Sequence, residues 1–247
     1  MSWAGANDID NGIVLDLSWI NGTELSWDQA YATIGSSSKW LDVYQTLDGT
    51  GFGVPGARCG TTGVGGVTLG GGISFFSPKV GFVADNVLNF EVVLASGKIV
   101  NANASNHGDL FLALKGGSSN YGIVTRFDIA TFESNDVYGA GIVSPLTDAT
   151  TSFTLRALHG FVNDSSFDTA AIVGSIFYYD GASGNRPVIT SVVDTKNEHS
   201  TALLKPFKAI HPQLHNTLRS ASVTDLVSEG STFFPRGQRY VAIRRPK

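Results

Sequence analysis

Between Gly49 and Gly72 the chain carries eleven glycines in 24 residues, interrupted by Val54, Pro55, Arg58, Cys59, Val64, Val67 and Leu69. A flexible linker of that glycine content would be serine-rich and free of buried aliphatics, so Val67-Thr68-Leu69 marks the stretch as folded structure. Glycine at this density serves where backbone must come close to something large, or adopt φ > 0 repeatedly. The rest of the chain must then supply a rigid frame. With 42% hydrophobic and 11% aromatic residues over 247 positions, it has core material for one large domain or two small ones. Seventeen basic residues against 21 acidic ones give a net charge of −4, which lacks the basic face that nucleic-acid phosphates require. No run approaches the ~18 apolar residues of a membrane helix. The opening Met1-Ser2-Trp3-Ala4-Gly5 has neither the basic nor the apolar region of a signal peptide. Cys59 is the single cysteine, so it is a thiol or something attached to a thiol.

Apolar spacing predicts the frame. Gly12–Ile20 alternates like a half-buried strand, and Trp40, Val43, Tyr44 and Leu47 fall on one helical face with Ser36–Ser38 ahead as caps. Val87–Leu94 and Lys98–Val100 read as a hairpin across Ala95-Ser96-Gly97. Asp109–Lys115 reads as a short helix stopped by Gly116-Gly117, and Gly122–Ala130 as a strand. From about Ser134 glycine thins; helices are expected over Thr147–Phe161 and near Pro212–Ser220, with a strand over Ala170–Tyr178. The basic tail, with Arg236, Arg239, Arg244, Arg245 and Lys247, reads as a solvated end.

Several familiar motifs fail on context. Gly51-Phe-Gly53-Val-Pro-Gly56 matches GxGxxG, but a helix precedes it where a dinucleotide fingerprint needs a strand. Gly97-Lys98 is followed by Ile99, so no hydroxyl is available for the magnesium of a P-loop. His211-Pro-Gln-Leu-His215 has zinc-helix spacing but carries Pro212 where a metalloprotease has its glutamate, so no metal site is assigned. No GxSxG elbow occurs.

What remains is Gly56-Ala-Arg-Cys59-Gly-Thr-Thr-Gly63-Val-Gly65-Gly66-Val-Thr-Leu-Gly70-Gly71-Gly72. Bare amides in successive turns accept anionic oxygens, and the lack of side chains lets a loop lie flat on a ring system. Neither a lysine nor a metal ligand is near, which suits a dinucleotide better than a triphosphate. Cys59 stands at the edge of the stretch with the positive charge of Arg58 beside it.

These residues resemble a known family. The run from Cys59 to Gly72, then Gly81-x-x-x-Asp85-Asn86-Val87, Gly108-Asp109-Leu110-Phe111-x-Ala113-Leu114-Lys115-Gly116-Gly117 and Gly122-Ile123-Val124-Thr125, is similar to the FAD-linked oxidases of the vanillyl-alcohol-oxidase type. The nearest branch is the berberine-bridge-enzyme-like and oligosaccharide-oxidase group, of fungal type. The resemblance implies an α+β chain: the second part of a PCMH-type FAD-binding domain over 1–133, a partial substrate domain of antiparallel sheet plus helices over 134–230, and a divergent tail over 231–247. It implies FAD as cofactor, attached through Cys59 where the family's thioether forms. Gly63, Val64, Gly65 and Gly66 would line the flavin, Asp85, Asn86 and Val87 would border it, and Gly122, Ile123 and Val124 would hold its adenosine end. The partners implied are a small-molecule substrate, namely a sugar, alcohol or secondary metabolite, and O2, with neither nucleic acid nor membrane.

The resemblance also implies a Gly-Gly-His subdomain ahead of Trp3 and further substrate-domain chain after Leu226, neither of which this sequence contains. None of His107, His159, His199, His211 or His215 sits in such a motif. Weak FAD retention by these residues alone follows, since hydrogen bonds to charged phosphate are worth ~1.5–3 kcal/mol each. The family's catalytic base has no counterpart; Tyr178 and Tyr179 read as sheet-face aromatics. The competing function is a non-catalytic relative that keeps the fold without holding FAD.

Overall fold

The computed structural model describes residues 9–166, 168–181 and 183–232. The opening Met1–Asp8 and the basic tail from Phe233 lie outside the described residues. In chain order the first half forms β1 (Thr23–Leu25), β2 (Tyr31–Gly35), α1 (Trp40–Leu47), β3 (Phe52–Gly53), α2 (Val64–Leu69) and α3 (Ser77–Val80). A 3-10 turn (Val83–Asn86) then leads to β4 (Val87–Val93), β5 (Ile99–Asn103), α4 (Gly108–Leu114), β6 (Ile123–Ala130) and β7 (Phe132–Glu133). The second half forms β8 (Val137–Pro145), α5 (Asp148–Val162), β9 (Ala171–Phe177), β10 (Pro187–Asp194), α6 (Lys205–Lys208), β11 (His215–Asn216), β12 (Arg219–Ala221) and α7 (Val223–Thr232). The fold is α+β.

The first sheet runs β1-β2-β6-β4-β5, every neighbour antiparallel. Its inward residues alternate as a half-buried sheet requires, Phe90 and Val92 on β4 and Phe127 and Ile129 on β6, and a register shift opposite Glu91–Val92 brings Val124 inward as well. Phe90 meets Phe127 and Phe111 edge-on at 5.7 and 5.8 Å, and α1 buries the face its spacing foretold. The second sheet runs β11-β8-β10-β9, with β12 also on β8. One side of it packs on α5 and α6 through Ile142, Val192, Leu204 and Phe207. On its other side Val137 and Val193, with Leu226 and Val227 of α7, join the core of the first sheet. At ~1.5–3 kcal/mol per buried large apolar side chain, this shared core fixes the two sheets against each other.

The hairpin, α4, β6, α5 and β9 fall where their spacing put them. Thr147 caps α5, accepting from the Thr150 amide, while Asp109 lies in the first turn of α4 and Gly116 (φ 98°) ends it. Three expectations are corrected. Gly12–Ile20 forms no strand, because no described neighbour pairs with it; Ile13, Val14 and Trp19 stand 85%, 67% and 94% exposed. Residues 212–220 are not helical, since Leu214, His215, Asn216 and Thr217 spend their backbone groups on β8 instead. That pairing also removes the helical face on which His211 and His215 would have aligned. Finally, Ser38 does not cap α1: its Oγ bonds the amide and carbonyl of Gly22, leaving Lys39 at the N-cap.

Candidate functional site

The glycine-rich segment is anchored at its start by α1. Tyr44 Oη donates to the Ala57 carbonyl at 3.1 Å inside the core, and burial pushes the phenol's pKa well above its ordinary value. Gly56 passes directly beneath the Trp40 ring, where a Cβ would lie 2.1 Å from ring carbon. A turn follows: the Thr62 amide and Oγ1 both donate to the Cys59 carbonyl, at 3.3 and 2.7 Å. Cys59 Sγ lies 3.3 Å from Thr61 Oγ1 and donates to Ser231 Oγ at 3.6 Å. The same Ser231 oxygen accepts from the Gly60 amide at 3.0 Å and donates to the Val227 carbonyl at 2.7 Å. One α7 hydroxyl therefore fixes the turn that carries the thiol.

Beyond the turn the chain is helical where an irregular glycine loop was expected. Val64 and Thr68 of α2 point inward, and Gly65 donates to the Ser36 carbonyl at 3.1 Å. Positive φ occurs at Gly49, Gly51, Gly71 and Gly72, flanking this segment, and not at Gly63, Gly65 or Gly66.

A cavity of about 700 Å³ lies between this segment, the second sheet and α7. Its floor is Ala57–Cys59, Gly66 and Gly70; its end wall is Leu226 and Glu229. Its ceiling is a single row of small residues, because the register places Ser191 of β10 opposite both Gly141 of β8 and Gly174 of β9. The next row, Ile176 opposite Ile189, makes the ceiling apolar beside it. Volume and lining match a small-molecule or cofactor pocket of about 300–1,000 Å³. Glu229 is engaged already, 2.6 Å from Arg219 Nη1 and accepting from Thr217 Oγ1. Arg58 has no ion pair among the described residues. Its guanidinium reaches across toward β9, with Nη1 3.6 Å from where a Gly174 Cβ would stand, and loss of hydration pulls its pKa down.

The expected site residues separate into groups. Cys59 and Gly66 line the cavity. Gly63, at the N-cap of α2, faces open space, whereas the Val64 side chain is core. Asp85 accepts from the Phe82 amide at 2.8 Å, and Asn86 donates to the Val80 and Phe82 carbonyls at 3.0 and 2.8 Å, closing the turn into β4. Val87 opens β4 as a core residue. Gly122 (φ 141°) precedes β6, which Ile123 and Val124 begin, paired with Val93 and Val92. Asp85–Val87 and Gly122–Val124 thus stand at opposite ends of the β4–β6 ladder, about 20 Å apart along the strand, and neither group lines the cavity. Sequence reasoning missed Ser231, Ser191, Gly141 and Gly174. The last three form a register row that exists only once the strands pair, and Ser231 reaches Cys59 from α7, 172 positions away. Tyr178 and Tyr179 stay off the cavity wall. Among the described residues no three His, Cys, Asp or Glu side chains gather as metal ligands, and no helix is long and apolar enough to cross a membrane.

The glycines test what the cavity is shaped for. Gly35, Gly56, Gly117 and Gly139 are required by the protein itself, since a Cβ at any of them would strike a neighbour at 2.6 Å or less. Gly66 is not: it sits inside α2, where glycine costs about 0.5–1 kcal/mol relative to alanine, and a Cβ there would meet nothing within 4 Å. A bare surface kept at a cost in helix stability, on a cavity wall beside the lone thiol, fits a flat ring laid against the backbone.

A family profile described as an FAD binding domain matches residues 1–103, which include Cys59, the whole glycine-rich segment and Asp85–Val87. Residues 1–103 belong to this FAD binding domain family, and the chain beyond them is similar to FAD-dependent monooxygenases in sequence and to FAD-linked oxidases in fold. FAD is the cofactor of this family, and the cavity's bare floor fits its ring. A relative described as an FAD-dependent monooxygenase, from Emericella nidulans, is 36% identical over 239 residues, covering 96% of this chain and 49% of the relative. Among solved structures, 6-hydroxy-D-nicotine oxidase from Arthrobacter nicotinovorans superposes with a TM-score of 0.79 at 20% identity, over 95% of this chain and 51% of that one. A chitooligosaccharide oxidase does so with a TM-score of 0.72 at 19% identity, over 92% and 46%. Both share the fold, second sheet included. The chain spans about half the length, or less, of most of the curated relatives it matches, from 31% to 54%.

Proposed function

We propose that the protein is an FAD-dependent oxidoreductase that oxidises a small organic molecule, a sugar, alcohol or secondary metabolite, and uses O2 as acceptor. The supporting observation is the cavity: a backbone floor bare at Gly66, a thiol at its edge and a ceiling of small residues on the opposing sheet. When bound, the flavin supplies the redox chemistry, taking a hydride from a carbon bearing oxygen or nitrogen and passing the electrons to O2. The chain binds, orients and encloses. Cys59 and Gly66 would run beside the ring, while Gly63–Gly65, Asp85, Asn86 and Val87, and Gly122, Ile123 and Val124, which lie off the cavity wall, would contact the remainder of the cofactor, the last three its adenosine end. The separation of the last two groups along one ladder suits an extended dinucleotide. Ser231 positions Cys59, whose sulfur is placed to attach the flavin. The second sheet (134–230 in this division of the chain) roofs the cavity over the first unit (1–133).

The test is purification with saturating FAD, followed by anaerobic mixing with representative sugars, alcohols and secondary metabolites. The expected result is FAD that binds at saturating cofactor, is bleached by at least one donor class and is restored by air with peroxide formed, with weak retention on gel filtration of any flavin that is not covalently attached. Under denaturing electrophoresis the flavin should stay with the wild-type chain and leave Cys59→Ala. A protein that binds no flavin even at saturating FAD would refute the reading.

A further inference from the structure

We infer that Arg58, together with Ser191, forms an anion-recognition pair in the cavity, so that the substrate carries a carboxylate or the two-oxygen enolate of an acidic 1,3-dicarbonyl. This deepens the proposed function and rests on it for the word substrate.

Arg58 is the residue before the thiol, on the cavity floor, and its guanidinium extends to the ceiling at Gly174. No carboxylate forms an ion pair with it among the described residues. The carboxylate on the same wall, Glu229, is held by Arg219 and Thr217. Ser191 is the register partner of Gly174, so its side chain stands one strand spacing, about 5 Å, from the strand position the guanidinium reaches. Its hydroxyl bonds no described protein group and faces the same cavity. Two unpartnered donors, one permanently charged, converge on a space otherwise walled by Ile73, Ile176 and Ile189.

Placing a cation where hydration is reduced carries a cost, seen here as the downward pull on the Arg58 pKa. A protein that used this arginine structurally would pair it. Arginine's planar fork matches a carboxylate or enolate in two-point contact, and the hydroxyl adds a third donor. Glycine at 174 keeps the approach open. The arrangement selects an acidic group on an apolar, ring-sized body.

The experiment compares 2-naphthoate with neutral 2-naphthamide by calorimetric titration of FAD-saturated protein, with FAD stoichiometry read separately from absorbance. Naphthoate should bind at least tenfold tighter than the amide, as expected for a charge-assisted contact. Arg58→Gln should abolish that preference while retaining FAD, Arg58→Lys should restore part of it, and Ser191→Ala should weaken naphthoate several-fold without touching the amide. Equal binding of the two probes, or a preference surviving in Arg58→Gln, overturns the inference. Loss of FAD from Arg58→Gln also overturns it, by assigning the arginine to the cofactor. Failure of the wild type to bind FAD at saturating cofactor refutes the proposed function instead, and the calorimetric preference still decides the role of Arg58.

Discussion

Gly66→Ala separates the two reasons a glycine can occupy a helix. Gly66 lies within α2, and a methyl group there would meet no protein atom within 4 Å. Relieved of glycine's backbone entropy, the helix should gain about 0.5–1 kcal/mol. For a chain of this size that amounts to a rise of roughly 1–4 °C in Tm without cofactor. The same methyl projects into the cavity that we assign to the flavin. Forcing one carbon into a filled, close-packed slot costs about 1–3 kcal/mol, which weakens FAD about 5- to 150-fold. Thermal unfolding without FAD and fluorescence titration with FAD therefore move in opposite directions in a single variant. The neighbouring Gly65 would not separate the effects, because its Cβ would already press on the Ser36 carbonyl at 3.0 Å. A Gly66→Ala protein that is stabilised and binds FAD as well as the wild type would refute the assignment of this surface to the ring.

Two further variants probe the anchor beneath the site. Tyr44→Phe removes the donor to the buried Ala57 carbonyl and should cost about 1–3 kcal/mol in urea unfolding at pH 8. Because the folded-state pKa of Tyr44 is raised, its contribution is complete below the unfolded value of about 10 and falls by up to about 1.4 kcal/mol per pH unit above it. The gap between wild type and Tyr44→Phe should narrow between pH 8 and pH 11, and a constant or widening gap would contradict the burial. Gly56→Ala places a methyl 2.1 Å from the Trp40 ring and 2.6 Å from Tyr44 Oη. It should lower stability by 1–3 kcal/mol or more, and an unchanged Tm would show that the segment runs elsewhere.

Legibility from sequence followed the range of the interactions involved. The α1 face, the β4–β5 hairpin with Gly97 at its turn, and α5 depend on neighbours a few residues away, and all are visible in spacing, although the caps are not: Ser38 does not cap α1 and Thr147 caps α5. Gly12–Ile20 carried the alternation of a strand, but a strand needs a partner, and alternation does not supply one. Residues 212–220 fit a helix locally and lost it to β8, some 70 residues distant, whose edge offered better use for their backbone groups. In the site, Cys59 and its glycines announced themselves by type and density. The ceiling did not, because Gly141, Gly174 and Ser191 become one surface only through the register of three strands. Ser231 is equally silent in sequence: it meets Cys59 across 172 positions.

The central claim is that the flavin ring lies on the backbone at Gly66, its edge at Cys59 Sγ, beneath the Gly141–Ser191–Gly174 row. A crystal structure of the FAD-saturated protein tests it directly. The account predicts isoalloxazine density in that slot, bonded to or in van der Waals contact with the sulfur. Density for the ring in the other large hollow, beside Asp48, Phe52 and Glu133, with this slot filled only by solvent, would contradict it.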